Sequence, residues 1–293
     1  MLRDQPPVAR KLATSHSLPA HSGRSKNILN YDRFTADDLA DGVDITRSQS
    51  LADANTQYTP NEVGLKVLIP KTTLRRVADT DLLRKVGRMM ENAYRLKEDS
   101  DGCAQFSSWT PLVGGAGTTI GIGHIAAAAA RLDIGNNRSN PEPFGQNRKV
   151  GVLHPLQAHG IAMLMIPLNA SSAGGTVAGN GQFGTQVAPG RGGSDTADEI
   201  LRRGPSVMTN VAGVTIYTDA NIAVDTSDDG SGAVFDPEGF VFVSEMEADL
   251  NQRTDDPSAR SIEIVGVGSY VYGLWRPGAS GVEVLGDCTL PTT

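Results

Sequence analysis

Gly115-Ala-Gly117-Thr-Thr-Ile120 carries part of a dinucleotide-binding pattern, in which glycines let the backbone approach a pyrophosphate at a helix N-terminus. The third glycine is missing, and the preceding Ser107-Ser-Trp-Thr-Pro111 is a poor strand, so the required strand–turn–helix setting is absent. Asp225, Ser227, Asp229 and Gly230 occupy positions one, three, five and six of a calcium-loop pattern, with Asp236 at position twelve. The segment before them reads as strand and turn rather than helix. Asp236 also stands where a longer glutamate normally supplies two oxygens, so the stretch reads as a solvated turn. His154 and His159 are five residues apart, the wrong spacing for two ligands on one helix face. His154, next to Pro155, reads as a strand-end residue satisfied by the backbone. Cys103 and Cys288 are isolated thiols outside any C-x-x-C pair and read as buried residues of a reducing compartment. The sequence has no Gly-Lys-Ser/Thr phosphate loop and no G-x-S-x-G nucleophile elbow. Neither a catalytic constellation nor a cofactor or metal site emerges, and the chain reads as no enzyme. A cytoplasmic α/β nucleotide-binding enzyme using the Gly114–Gly123 region remains the rival of a different class.

The charge distribution offers a binding chemistry instead. The formal net charge is −7. Residues 1–30 hold Arg3, Arg10, Lys11, Arg24 and Lys26 against Asp4, or +5 − 1 = +4, which leaves −7 − 4 = −11 for the remainder. A basic, Pro-containing segment on an acidic body suits contact with phosphates or with a neighbouring acidic surface. The five basic residues are therefore the candidate assembly or phosphate contacts. The acidic body argues against general DNA binding by the folded part.

The elements that position these residues form a mixed α+β chain. High glycine (33 residues) with few aromatics (5%) favours strands and loops over a helical bundle. Pro6, Pro7 and Pro19 interrupt any early helix, so residues 1–30 read as an extended arm with little to add to a core. Residues 33–60 are polar, and Val63–Ile69 is a compact strand. Leu82/Leu83, Val86, Met89/Met90, Ala93 and Leu96 recur at three- and four-residue steps, predicting an amphipathic helix over Asp81–Glu98, about 27 Å long. Thr80 is its expected N-cap, and Asp99–Gly102 its expected end. A short alanine-rich helix is expected over Ile122–Leu132, a buried strand over Lys149–Leu153 and a helix over Leu156–Met165. Residues 172–193, with eight glycines, read as a mobile loop, followed by a helix over Asp195–Arg203. Val211–Tyr217, Gly239–Ser244, Ser261–Trp275 and Gly281–Leu285 read as strands, with a turn cluster over Asp225–Gly232. No run approaches the ~20 apolar residues of a membrane-spanning helix, and no membrane partner is expected.

The order of these segments resembles the tailed-bacteriophage major capsid proteins of the Hong Kong 97-like fold, in the podovirus-type branch. The resemblance rests on the basic arm, the polar loop ending in Val63–Ile69 and the spine-like helix Asp81–Glu98. It continues through Lys149-Val-Gly-Val-Leu-His-Pro155 with Gln157, Gly213-Val-Thr-Ile-Tyr217 with Asn221, and the closing run from Ile262 through Trp275 to Asp287. It implies an N-terminal arm (1–35), an extended loop (36–70), a peripheral domain with a long spine helix (71–109 and 236–293) and an axial domain (110–235). Hexamers and pentamers would close into an icosahedral virion shell, assembled in the host cytoplasm around double-stranded DNA. Scaffold, portal and decoration proteins are further implied partners. Some relatives cross-link through lysine and asparagine; Lys66 and Lys71 are the nearby lysines, and nothing singles them out. An encapsulin-like shell of the same fold is the alternative, distinguished by a protein cargo in place of nucleic acid.

Overall fold

The computed structural model describes residues 7–19, 23–31, 53–76, 81–136, 148–165, 207–256 and 260–291, with isolated positions between 34 and 48. Arg3, the loop expected at 172–193 and the helix expected at 195–203 lie outside the described residues. Helices and strands are numbered separately in chain order.

Two sheets and one long helix organise the chain. The first sheet has the order β1 (Thr14–Ser17), β10 (Phe240–Asp256), β11 (Ser261–Leu274) and β4 (Asn61–Pro70). β10 and β11 form a long antiparallel hairpin running from Phe240 opposite Leu274 to Asp256 opposite Ser261, with register shifts after Ser244, Met246 and Arg253. β4 continues the sheet antiparallel to β11, and β1 pairs parallel to β10 on the other edge. Only the first part of β10, Phe240–Ser244, is expected from sequence. Beyond Ser244 the strand is Glu-Met-Glu-Ala-Asp-Leu-Asn-Gln-Arg, too polar to read as a strand alone and held extended by its pairing with β11.

The spine helix α3 spans Leu82–Ala104, 23 residues and about 34 Å at 1.5 Å per residue. Leu83, Val86 and Met90 pack with Leu65, Val67, Ile69, Ile262 and Ile264 of β4 and β11. The apolar residues do not form the single stripe expected. Met89 and Leu96 face outward, 55% and 53% exposed, while Tyr94 and Glu98 continue the inward face. The helix also runs through the Asp99–Gly102 stretch expected to end it. Asp99 and Gly102 are buried there rather than solvated: a Cβ on Gly102 would lie 2.5 Å from the Ala9 Cβ and 3.2 Å from the Tyr272 ring. A missing side chain, read locally as a stop, is here what admits a neighbour.

The second sheet has the order β5 (Leu112–Gly114), β12 (Gly281–Asp287), β9 (Asp229–Phe235), β6 (Lys149–Leu153), β8 (Val214–Thr218) and β7 (Val207–Val211). Alternation sorts its residues between two cores. Val234 and Leu153 meet α4 (Ile122–Asp133) and α5 (Pro155–Met165) in a cluster with Ile120, Ile125, Ala128, Leu132 and Ile161. Val150, Val152, Ala233 and Phe235 turn the other way, to Phe106, Trp109, Phe240, Phe242, Tyr270 and Tyr272. This aromatic cluster joins the two sheets. Phe235 and Phe240 ring centroids are 5.3 Å apart, and Phe240 stacks on Tyr272 at 5.4 Å.

Three expectations change. The strand expected over Val211–Tyr217 is a hairpin, because Ala212 (φ 51°) and Gly213 (φ 81°) form a tight turn between β7 and β8. Residues 281–287, grouped from sequence with the spine, pair with β9 and β5 in the second sheet. The polar stretch before residue 60 contains β3 (Asp53–Tyr58), which pairs antiparallel with β2 (Lys26–Tyr31), so this hairpin straddles the expected boundary at 35/36.

Candidate functional site

The basic N-terminal residues are the natural starting point, and the structure places them differently from one another. The helix α1 (Val8–Leu12) seats Ala9 and Leu12, both buried, in the aromatic core, and β1 extends the first sheet. The expectation that residues 1–30 stand apart from the core is therefore corrected. Short segments of ordinary composition enter the core here because Gly102 and the edge of β10 leave room for them.

Arg10 is spent inside the subunit. Its Nη1 lies 3.2 Å from Glu98 Oε1 and its Nη2 2.5 Å from Glu247 Oε1, with the guanidinium 5.0 Å from the Phe242 ring centroid. Burial pushes the Glu98 carboxyl up from its ordinary value, and the Arg10 charge opposes that shift. The Lys11 ammonium lies 5.7 Å from the Tyr217 ring centroid. Arg24 is exposed, and Lys26 is half-buried in β2. Of the four described, Arg10 and Lys11 contact aromatic rings beside the core while Lys26 belongs to the β2–β3 pair, so they do not share one set of neighbours.

The β2–β3 hairpin is tied down at both ends of its ladder by residues that sequence reasoning did not select. Tyr58 donates its hydroxyl to the Leu274 carbonyl at 2.9 Å and fills the space left by Gly273, whose Cβ would lie 2.2 Å from that ring. Arg276 donates from Nη2 to the Tyr31 carbonyl at 2.8 Å and from Nε to Asn30 Oδ1. The side chains of Leu29, Tyr31 and Phe34 are about half exposed. Leu68, Met89, Leu96 and Met246 add exposed apolar area on the first sheet and its spine. Between them, α3 and β10 enclose a groove of about 450 Å³ lined by Arg10, Leu65, Met90, Tyr94, Glu98 and Glu247.

The stretches that suggested small-molecule chemistry are used internally. Gly114 (φ 92°) sits where a Cβ would lie 2.2 Å from the Leu285 carbonyl, so its glycine serves contact with β12. The Gly117 amide, which a phosphate would need, donates to Asp229 Oδ1 at 2.7 Å. Asp225 Oδ1 accepts from the Ser227 and Asp229 amides at 2.8 and 2.9 Å. The turn cluster ends at Asp228, and Asp229–Phe235 is strand, which puts Asp236 about 20 Å from the turn at ~3.3 Å per residue. A twelve-residue calcium loop is not formed. His154 caps α5, its Nδ1 accepting from the Leu156 amide at 3.3 Å, and burial holds its pKa below the usual value. Gln157 is 1% exposed and donates to the carbonyls of Gly230 (2.6 Å) and Gly286 (3.2 Å).

Among the described residues one cluster has the composition of a metal site: Asp99 and Cys103 of α3 with Asp219 after β8, all buried, their ligating atoms within 4.8 Å of one another. Its oxygens already have partners. Asp99 Oδ1 accepts from the Ala9 amide (2.9 Å) and Oδ2 from Asn221 Nδ2 (2.7 Å). Asp219 Oδ1 accepts from the Asn221 amide (2.9 Å), and Cys103 Sγ lies 3.6 Å from Oδ2. Burial, then the two carboxylates, push the Cys103 thiol far up, so it stays S–H. No helix among the described residues is long and apolar enough to cross a membrane.

No protein-family model matches the sequence, and no curated protein matches it. Solved structures do. A structure from Mycobacterium phage Che8 superposes with a TM-score of 0.68 at 18% identity, covering 97% of this chain and 94% of that one. The capsid of Ralstonia phage GP4 gives 0.69 at 13% identity, with 96% and 88% covered. The capsid structure of cyanophage P-SCSP1u gives 0.63 at 14% identity, with 99% and 91% covered. With its mixed α+β architecture, its spine helix across a long-stranded sheet and its paired hairpin, the chain has the Hong Kong 97-like fold of these phage capsid structures.

Proposed function

We propose that this chain is the major capsid protein of a tailed bacteriophage, self-assembling through pentamers and hexamers into an icosahedral shell that encloses double-stranded DNA. The observation that carries the reading is reciprocal coverage. Capsid structures account for 96–99% of this chain, and this chain for about nine tenths of theirs, so the likeness is to a whole capsid subunit and not to a shared fragment. The fold alone is not function. The exposed apolar residues of the hairpin and spine supply the independent support, since a solitary subunit gains nothing from them.

In this reading residues 1–35 form the arm, 36–70 the extended loop, 71–109 with 236–293 the peripheral domain and 110–235 the axial domain. We group 281–287 with the axial domain, because β12 pairs with β9. Arg3, Arg24 and Lys26 remain the candidates for contacts with neighbours or packaged phosphates, while Arg10 and Lys11 hold the arm to its own subunit. Assembly takes place in the host cytoplasm, and the shell persists in the virion. Light scattering of the expressed chain tests the proposal: particles in the megadalton range are expected, and a homogeneous monomer or dimer in every salt condition, with scaffold supplied, sinks it. The contents decide between phage shell and encapsulin, nucleic acid for the first and a protein cargo for the second.

A further inference from the structure

Two buried carboxyl groups at the junction of three elements have no role in the shell reading. Asp99 and Asp219 are 3% and 5% exposed, with carboxylate oxygens within 4.8 Å of each other. Asp99 belongs to the spine helix, and its oxygens receive the Ala9 amide from α1 and the Asn221 side chain from the β8–β9 connection. Asp219 belongs to that connection, which the second sheet anchors through its amide, donated to the Leu153 carbonyl at 3.0 Å. The arm, the spine and the second sheet therefore meet at one pair of acids.

We propose that Asp99 and Asp219 share a single proton and form a pH-sensitive latch that holds the N-terminal helix against the spine in acid and loosens it toward alkaline pH. Two facing carboxylates in a buried site cannot both ionise cheaply, and one proton between them turns repulsion into a hydrogen bond. The donor pattern fixes where the proton sits. Asp99 has both oxygens occupied as acceptors by N–H donors, the Ala9 amide and the Asn221 side chain. Asp219 accepts the Asn221 amide on Oδ1 and only the weak Cys103 S–H donor, at 3.6 Å, on Oδ2, so it is the acid on which the shared proton sits. Among the described residues no other charge takes over the pairing. Arg10 of α1 is engaged by Glu98 and Glu247, and Lys11 lies over Tyr217 of β8. Cys103 of α3 and Tyr272 of β11 remain protonated, both pushed up first by burial. Every carboxylate oxygen already meets a protein hydrogen, which favours a shared proton over a bound cation.

Burial foremost, then the hydrogen bond to Asp99, raises the Asp219 carboxyl to about 7. The folded chain thus keeps a proton that the unfolded chain releases at the ordinary aspartate value of about 3.9. The latch is at full strength below that value and weakens as pH rises to about 7; above that, neither state holds the proton and the effect is constant.

Hydrogen exchange of the full chain, followed by mass spectrometry on the peptide containing Ala9 and corrected for intrinsic pH dependence, tests this. Protection of that peptide should fall by about tenfold or more between pH 5 and pH 8, since one unit of differential proton affinity is a factor of ten. Asp219→Asn, which keeps a donor facing Asp99, should hold the acid-level protection throughout. A flat profile in the natural chain, or parallel profiles in both, overturns the proposal. Should Asp219→Asn fail to fold, the aspartate carboxyl carbon resonances of the natural chain decide. One aspartate titrating near neutrality supports the shared proton, and all titrating in the ordinary acid range refutes it. Because the readout is local to the subunit, it stands or falls independently of shell formation.

Discussion

Alanine placed at two glycines of the same helix should move stability in opposite directions. At Gly87 of α3 a Cβ would meet nothing within 4 Å, so Gly87→Ala gains the helix preference of alanine, about 0.8–1 kcal/mol. At Gly102 the same gain is offset by collision: the new Cβ would sit 2.5 Å from the Ala9 Cβ and 3.2–3.3 Å from two ring carbons of Tyr272. Overpacking of this kind costs about 1–3 kcal/mol. The two substitutions should therefore differ by about 1–3 kcal/mol, with Gly102→Ala neutral to destabilising. The collision is relieved most simply by lifting α1 off the spine, since Ala9 carries only a short helix while Tyr272 is locked in the aromatic cluster. Urea unfolding of the assembly-free subunit gives the two stabilities, and limited proteolysis near residues 7–13 reports whether the arm has lifted. Equal gains at both positions, with the arm equally resistant, would show that α1 does not pack on α3 and that the N-terminal residues have been misplaced.

Two further substitutions probe the turn and the hairpin. Ala212 adopts φ 51° in the β7–β8 turn, so Ala212→Asn should stabilise by about 0.5–1 kcal/mol, read as a higher urea midpoint with unchanged slope; a loss would contradict the turn. Arg276 also has positive φ (51°), which asparagine tolerates, so Arg276→Asn removes the guanidinium that holds Asn30 and the Tyr31 carbonyl without backbone strain. The hairpin at 26–58 should then be cleaved faster by added protease while global stability shifts by less than about 1 kcal/mol. Unchanged cleavage would mean that Tyr58 alone anchors it.

The elements legible in the sequence are those whose burial is written into their own residues. Val150, Val152 and Leu153 announce a strand because both of its faces are covered, and the alanines of α4 announce a close approach to the sheet. Leu83, Val86 and Met90 announce the spine, although periodicity could not tell them from the outward Met89 and Leu96, which the reading as a coat subunit assigns to a neighbour. What stayed hidden depends on partners distant in sequence. Asp99-Ser-Asp-Gly102 reads as a helix stop until Ala9 and Asn221 arrive to satisfy and fill it. β3 and the second half of β10 are polar segments held extended by pairing, and α1 is too short for any periodic signal. The glycines at 114–117 look like a phosphate turn because close approach to β12 and close approach to a phosphate demand the same residue. Of the basic residues chosen as contacts, charge counting could not foresee that Glu98 and Glu247 would claim Arg10, since these lie 88 and 237 positions away.

The claim that this chain builds a shell is tested most directly by electron microscopy of the full-length protein expressed with and without nucleic acid and scaffold. The account predicts uniform closed shells, or free hexamers and pentamers where closure fails, whose subunit density fits the spine helix across the long-stranded sheet. A field of small globules of one or two subunits under all of these conditions would contradict it.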